Sequence, residues 1–249
     1  MATENINEKK TATARRGGVR IASATHTRRR AVAAKTVKEA EVPAQAEPVA
    51  MSDKKKILFV ASECTPFIQT GGLAEVIGSL SKALAATGKF DVRVVVPMYS
   101  DIKWEYKQQF NYIGNIYVPL AWRNQYCGIF TYEKDGVTFY FLDNEFYFKR
   151  PGCYGYFDDG ERFAFFSRSV LEIMPFINFY PDVMHCHDWQ AALAAIYLKT
   201  NYCFKKEYQF IRALFTIHNI EYQGIYSMDI LSDLFDIYGT YAGLVEYNN

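Results

Sequence analysis

The stretch from Lys56 to Leu84, KILFVASECTPFIQTGGLAEVIGSLSKAL, limits the fold of this chain more than any other. It opens on the apolar run Ile57-Leu58-Phe59-Val60, the length of a buried strand. Polar and turn residues follow, Ser62-Glu63-Cys64-Thr65-Pro66. Then Thr70-Gly71-Gly72 leads into Leu73, Val76, Ile77, Leu80 and Leu84 at helical spacing. A strand, a loop and a glycine-opened helix are predicted. The free N–H groups and positive dipole end of such a helix suit an anion, above all a phosphate. Two glycines without Cβ atoms let a ligand approach the backbone. The same glycines also serve merely to turn a chain, and TGG is not the dinucleotide fingerprint GxGxxG.

The pattern continues as strand and helix. Asp91 to Pro97 is a β-branched run closed by proline, a second buried strand, so the order strand–helix–strand points to a parallel sheet. Ile113–Leu120 and Gly128–Phe141 alternate aromatic and aliphatic residues. Lys134-Asp135-Gly136 between two such runs predicts a hairpin, an antiparallel excursion in an α/β pattern. Residues 143–160 read as a long loop, a frequent location of function. Glu161 to Met174 reads as a helix with Phe163, Phe166, Val170, Ile173 and Met174 inward. Val183 to Cys186 is a strand, Trp189 to Lys199 a helix and Arg212 to Ile217 a strand.

Charge divides the chain. Residues 1–56 carry 13 Lys/Arg against 6 Asp/Glu, and the remainder 15 against 21, so a basic leader precedes a mildly acidic body. No broad basic face for nucleic acid is expected on that body. Residues 1–52 contain no aromatic residue and read as a disordered basic tail, with 53–249 as the folded domain. Arg15-Arg16 and Arg28-Arg29-Arg30 suit a solvated tail, a polyanion contact or an organelle-import segment. Five cysteines without a CxxC pair argue for reduced thiols and a cytoplasmic setting, or a plastid if the tail is a transit peptide. No apolar run approaches the ~20 residues that span a bilayer.

His187-Asp188 and His218-Asn219 each follow a predicted strand, at the edge where open parallel sheets bind ligands. The Thr70-Gly71-Gly72 turn falls on the same edge. His185, Cys186 and His187 lack further ligands at a usual metal spacing, so no metal is expected. Asp188 reads as the N-cap of the helix starting at Trp189, and His187 as a ligand contact. Ser62, Glu63 and Cys64 have no adjacent base in a nucleophile arrangement, and GxSxG is absent. Glu75 complements the helix dipole in the first turn. Asp158-Asp159 reads either as a carboxylate pair or as loop solvation and helix capping.

Five blocks in order carry a resemblance. They are SECTPFIQTGGLAEV at Ser62 to Val76, RPGCYG at Arg150 to Gly155, DDGERF at Asp158 to Phe163, HCHDWQ at His185 to Gln190, and TIHNIEYQG at Thr216 to Gly224. Together they resemble the bacterial glycogen synthase and plant starch synthase family. The resemblance implies a retaining GT-B glucosyltransferase of two Rossmann-like domains, with this chain as the N-terminal one, truncated at its C-terminal end and lacking the second. It implies glucose transfer from ADP-glucose (or UDP-glucose) to the non-reducing end of an α-1,4-glucan, without a cofactor, and with no turnover by this chain alone. A glucan-binding remnant and another UDP-glucose-dependent GT-B enzyme are the alternatives. It assigns catalytic contacts to His187 and Asp158. Gln69, Thr70, Gly71, Gly72, Glu75 and Asn219 fall to the donor side, and Tyr154, Tyr222 and Gln223 to the sugar cleft. The family usually has lysine where this chain has Gln69, so a point charge toward the donor phosphates is replaced by an amide.

Overall fold

The structure, a computed structural model, describes residues 54–246. The basic tail expected over 1–52 lies outside the described residues. Strand β1 (Lys55–Val60) leads through the 61–71 loop to helix α1 (Gly72–Ala86) and strand β2 (Phe90–Pro97). After a single turn, α2 (Trp104–Lys107), come β3 (Asn111–Leu120), β4 (Arg123–Lys134) and β5 (Val137–Asp143). A second short helix, α3 (Glu145–Phe148), interrupts the stretch expected to be all loop, because Asn144 caps it by accepting from Tyr147 N at 3.1 Å. Then follow α4 (Asp159–Phe176), β6 (Val183–His187), α5 (Trp189–Thr200), β7 (Arg212–Thr216) and the turn α6 (Ile230–Asp233).

Among these residues seven strands form one sheet in the order β3-β4-β5-β2-β1-β6-β7. The pairs β5–β2, β2–β1, β1–β6 and β6–β7 are parallel, and β3–β4–β5 is the expected antiparallel excursion. Its β4–β5 turn places Asp135 at φ 52° and Gly136 at φ 76°, the left-handed pair that a two-residue hairpin needs. From β1 the chain runs outward to β2 on one side, and from β6 to β7 on the other. Right-handed crossovers therefore put α1 on one face and α4 with α5 on the opposite face. The reversal makes β1/β6 a topological switch point, the place where such sheets open a crevice at their carboxyl ends.

Leu73 and Ile77 are buried on α1, while Val76 is 39% exposed. At 100° per residue Val76 falls outside the arc centred on Leu73, Ile77, Leu80 and Leu84, which corrects its expected core position. Helix α4 starts two residues before the expected Glu161. Phe163, Phe166, Val170, Ile173 and Met174 are buried as expected, and so are Arg162, Ser167, Arg168 and Ser169. A helix buried nearly all round lies in the middle of the molecule. All five cysteines are unpaired, and no described helix is long and apolar enough to cross a membrane.

Candidate functional site

Two polar nets form at the carboxyl edge of the sheet, one on each side of the β1/β6 switch point. The first begins where β1 ends. Glu63, 3% exposed, turns its carboxylate onto the glycine turn. It accepts from the N–H of Thr70, from Thr70 Oγ1 at 2.6 Å and from Gly71 N at 3.3 Å. Tyr154 donates to the same carboxylate at 2.6 Å, and its oxygen lies 2.7 Å from Ser62 Oγ. Burial, followed by Tyr99 and Glu63, raises the Tyr154 pKa well above the ordinary range, so Tyr154 stays a protonated donor. The RPGCYG loop and the glycine turn, 91 positions apart from Glu63 to Tyr154, are thereby one unit.

The glycine turn is already bonded to an internal anion. With Gly71 as N-cap, the N–H groups of Gly72 and Leu73 head the helix and have no acceptor within it. A Cβ at Gly71 or Gly72 would meet nothing within 4 Å, so the approach to this turn is open. Gln69 does not face a partner across the edge. Its Nε2 donates to Glu75 Oε1 at 2.9 Å on the exposed side of the turn.

The second net joins β6 to β7. His187, 1% exposed, places Nδ1 2.9 Å from His218 Nε2, and His185 places Nε2 2.7 Å from Thr216 Oγ1. Phe59 of β1 stacks on the His187 ring at 5.6 Å and 15°, which ties this net to the first through the β1–β6 pairing. Burial, then His185 and His218, push the His187 pKa down to about 2, so the ring is neutral across the physiological range.

Asp188 corrects the expected cap. It precedes α5, but its side chain makes no capping bond there. Its Oδ1 accepts instead from His218 N at 2.6 Å and Asn219 N at 3.4 Å, held by a backbone φ of 56°. The carboxylate thus fastens the TIHN turn to the end of β6. Asn219 Oδ1 accepts from Glu221 N at 3.0 Å, Gln223 Nε2 donates to Ile220 O at 2.8 Å, and Tyr222 stands 67% exposed. Gly224 (φ 63°) lies against Trp189, where a Cβ would come within 2.4 Å of the indole. Gly224→Ala is expected to cost about 1–3 kcal/mol by forcing the ring or the loop aside. Urea unfolding checks this, and an unchanged midpoint would mean that the two give way freely.

Asp158 belongs to neither net. Arg150 holds it in a fork, Nη1 to Oδ1 at 2.6 Å and Nη2 to Oδ2 at 2.8 Å. That bond, ahead of all other causes, keeps the Asp158 carboxyl below its usual range. Its neighbour Asp159 turns inward, accepting from Gly155 N at 2.7 Å and Tyr156 N at 3.2 Å and pairing with buried Arg162. The two carboxylates thus divide between the surface and the interior and do not act as a pair. A groove of ≈ 510 Å³ between α1 and the β4–β5 hairpin, lined by Glu75, Ser79, Lys82 and Asp135 among others, shares only Glu75 with the predicted site residues. The convergence of polar groups at the sheet edge makes that edge the candidate site.

Burial pushes the thiols of Cys64, Cys127, Cys153 and Cys186 up to about 12, which leaves them unsuited to nucleophilic attack. Glu63 was missed as a site residue by the sequence reading, and His218, placed at the ligand edge with Asn219, was given no role there. The available signal was the same for both: a polar residue within three positions of a strand's carboxyl end.

The profile of the family described as "Starch synthase catalytic domain" matches residues 56–248. The chain belongs to this starch synthase catalytic domain family. Among curated relatives, a glycogen synthase of Desulforamulus reducens is 51% identical over 189 residues, 76% of this chain and 39% of the relative. A glycogen synthase of Lactobacillus acidophilus is 46% identical over 196 residues, 78% of this chain and 41% of the relative. The chain therefore spans about two fifths of the length of these relatives. Among solved structures, the catalytic domain of starch synthase IV from Arabidopsis thaliana, bound to ADP and acarbose, matches with a TM-score of 0.64 and 29% identity. The match covers 72% of this chain and 37% of that one. The mostly parallel sheet with flanking helices is that of a GT-B glycosyltransferase domain in the starch synthase family.

Proposed function

We propose that this chain forms the acceptor-side lobe of a retaining glucosyltransferase. That enzyme moves glucose from a nucleoside diphosphate sugar, ADP-glucose by preference, to the non-reducing end of an α-1,4-glucan. The observation that carries the reading is the meeting of two polar nets at the β1/β6 switch point in a chain of the starch synthase family. The ADP and acarbose bound to the Arabidopsis relative support an adenine nucleotide and a saccharide as the ligand classes.

The residues suit electrostatic work on a developing sugar cation and a departing diphosphate. The Gly72 and Leu73 N–H groups, at the positive end of α1, donate to negative charge. His187 meets the transferred glucose as a neutral hydrogen-bonding group, because its ring does not ionise. Asn219, Tyr222 and Gln223 line the cleft, and Tyr154 supports the turn from beneath through Glu63. Asp158, neutralised by Arg150, supports the sugar site by shaping its loop and does not attack. Chemistry in this arrangement follows from preferential binding of the charged transition state.

Calorimetric titration of this chain with ADP-glucose, UDP-glucose and maltohexaose tests the proposal. Weak binding of ADP-glucose and of the oligosaccharide, without glucose incorporation into glycogen by this chain alone, is the expected result. Absence of binding to every one of these ligands would overturn it. Gln69→Lys is expected to tighten ADP-glucose binding by about two- to fivefold, since an exposed lysine here also pairs with Glu75. An unchanged Kd would count against a phosphate beside this turn.

A further inference from the structure

The two histidines of β6 reach diagonally to β7. In the ladder His185 faces Leu214 and His187 faces Thr216, yet each bonds to the residue two positions further on, Thr216 and His218. His187 Nε2, the ring's other nitrogen, is buried and has no partner among the described residues. A ring 1% exposed with one nitrogen bonded and the other open lacks one hydrogen-bond partner.

Between the two facing ring nitrogens, 2.9 Å apart, lies a single proton. If it belongs to His218 Nε2, then His187 carries its own proton on Nε2. If it belongs to His187 Nδ1, then His187 Nε2 is bare and His218 must carry its proton on Nδ1. The first arrangement leaves both rings in the Nε2–H form that a free neutral histidine prefers, and the second puts both in the other form. The bond made by one nitrogen decides what the other offers. Asp188, through its 2.6 Å bond from the His218 backbone N–H, anchors the backbone that carries the His218 ring.

We propose that His218 is a positioning residue whose Nε2–H donates to His187 Nδ1. It thereby holds His187 in the tautomer with a free Nε2–H, a donor set for the oxygen of a sugar hydroxyl. The identity of that oxygen rests on the functional reading above, but the tautomer does not.

The chain has four histidines, so long-range proton–nitrogen spectra of the histidine-labelled protein can resolve each ring. The expected pattern for His187 is a bare Nδ1 and a protonated Nε2, constant between about pH 5 and pH 9. His218→Gln sets an amide N–H near the place of Nε2 and is expected to retain the pattern. His218→Asn, whose amide stands nearer the place of Nδ1, is expected to lower the tautomer ratio about tenfold, the worth of one hydrogen bond. A dispersed backbone spectrum confirms that each variant is folded. A proton found on His187 Nδ1 in the unsubstituted protein, or an unaltered ratio in His218→Asn, overturns the proposal. Addition of maltohexaose or ADP-glucose is expected to shift the His187 Nε2 signal. A signal that ignores both removes the ligand role of His187 while leaving the tautomer result intact.

Discussion

Replacing Arg162 with alanine is expected to destabilise the protein by about 3–5 kcal/mol, lowering Tm by roughly 6–20 °C. The guanidinium is fully buried. It pairs with Asp159, donates to Tyr147 O at 2.7 Å and Cys153 O at 3.2 Å, and lies 4.8 Å from the centre of the Tyr156 ring. Asp159 in turn holds the N–H groups of Gly155 and Tyr156. Removing the cation leaves a buried carboxylate without its counter-charge, and the carbonyls of Tyr147 in α3 and Cys153 in the loop without their common donor. The loop so anchored carries Tyr154, the donor to Glu63, so lost stability and a disordered glycine turn are expected together. Urea unfolding of Arg162→Ala, Asp159→Asn and the double variant forms a cycle. The double variant should cost clearly less than the sum of the two. Strict additivity would mean that the pair is not coupled and that the account of the loop is wrong.

Phe67→Ala is expected to cost about 3–5 kcal/mol as well, by a different route. Phe67 lies in the 61–71 loop, yet it is 3% exposed. Its ring meets those of Tyr106, Phe110, Tyr132, Phe139 and Phe141 edge-on, at centroid distances of 4.9–5.9 Å. Truncation empties a cavity surrounded by rigid rings that cannot close on it, so the full range of loss applies. Phe67→Leu keeps most of the volume and should cost less than half as much. Thermal unfolding of both variants checks this. Equal losses would show that edge-on ring geometry, and not filled volume, holds the loop.

These two residues mark the boundary of what could be read from the sequence. The strands, the glycine-opened helix and the hairpin were legible, because periodicity and the Asp135-Gly136 turn report on neighbours along the chain. The strand-end position of the TGG turn, His187 and Asn219 was legible for the same reason, through the rule that parallel sheets open at their carboxyl ends. Partner choice was not. Asp188 looked like a cap because it stands before a helix, but its φ of 56° turns the carboxylate to the TIHN turn, 30 residues away. Asp158 and Asp159 are adjacent and alike in sequence. Only the fold separates one toward Arg150 and the other toward Arg162. Glu63 carries no local sign of its role, since its donors Thr70 and Tyr154 arrive 7 and 91 positions later. The burial of Arg162 was equally hidden, because an arginine in a helix is ordinarily taken to face water.

The diagonal reach from β6 to β7 has a consequence for chain length and synthesis. His187 leaves the ribosome 31 residues before His218, the partner of its Nδ1, and Glu63 precedes Tyr154 by 91. Neither half of the edge can be assembled from local sequence. A nascent or clipped polypeptide ending before His218 has the first net within reach but never the second. Because side chains alternate along a strand, a β7 docked one place out of line would also turn Thr216 to the opposite face, away from His185.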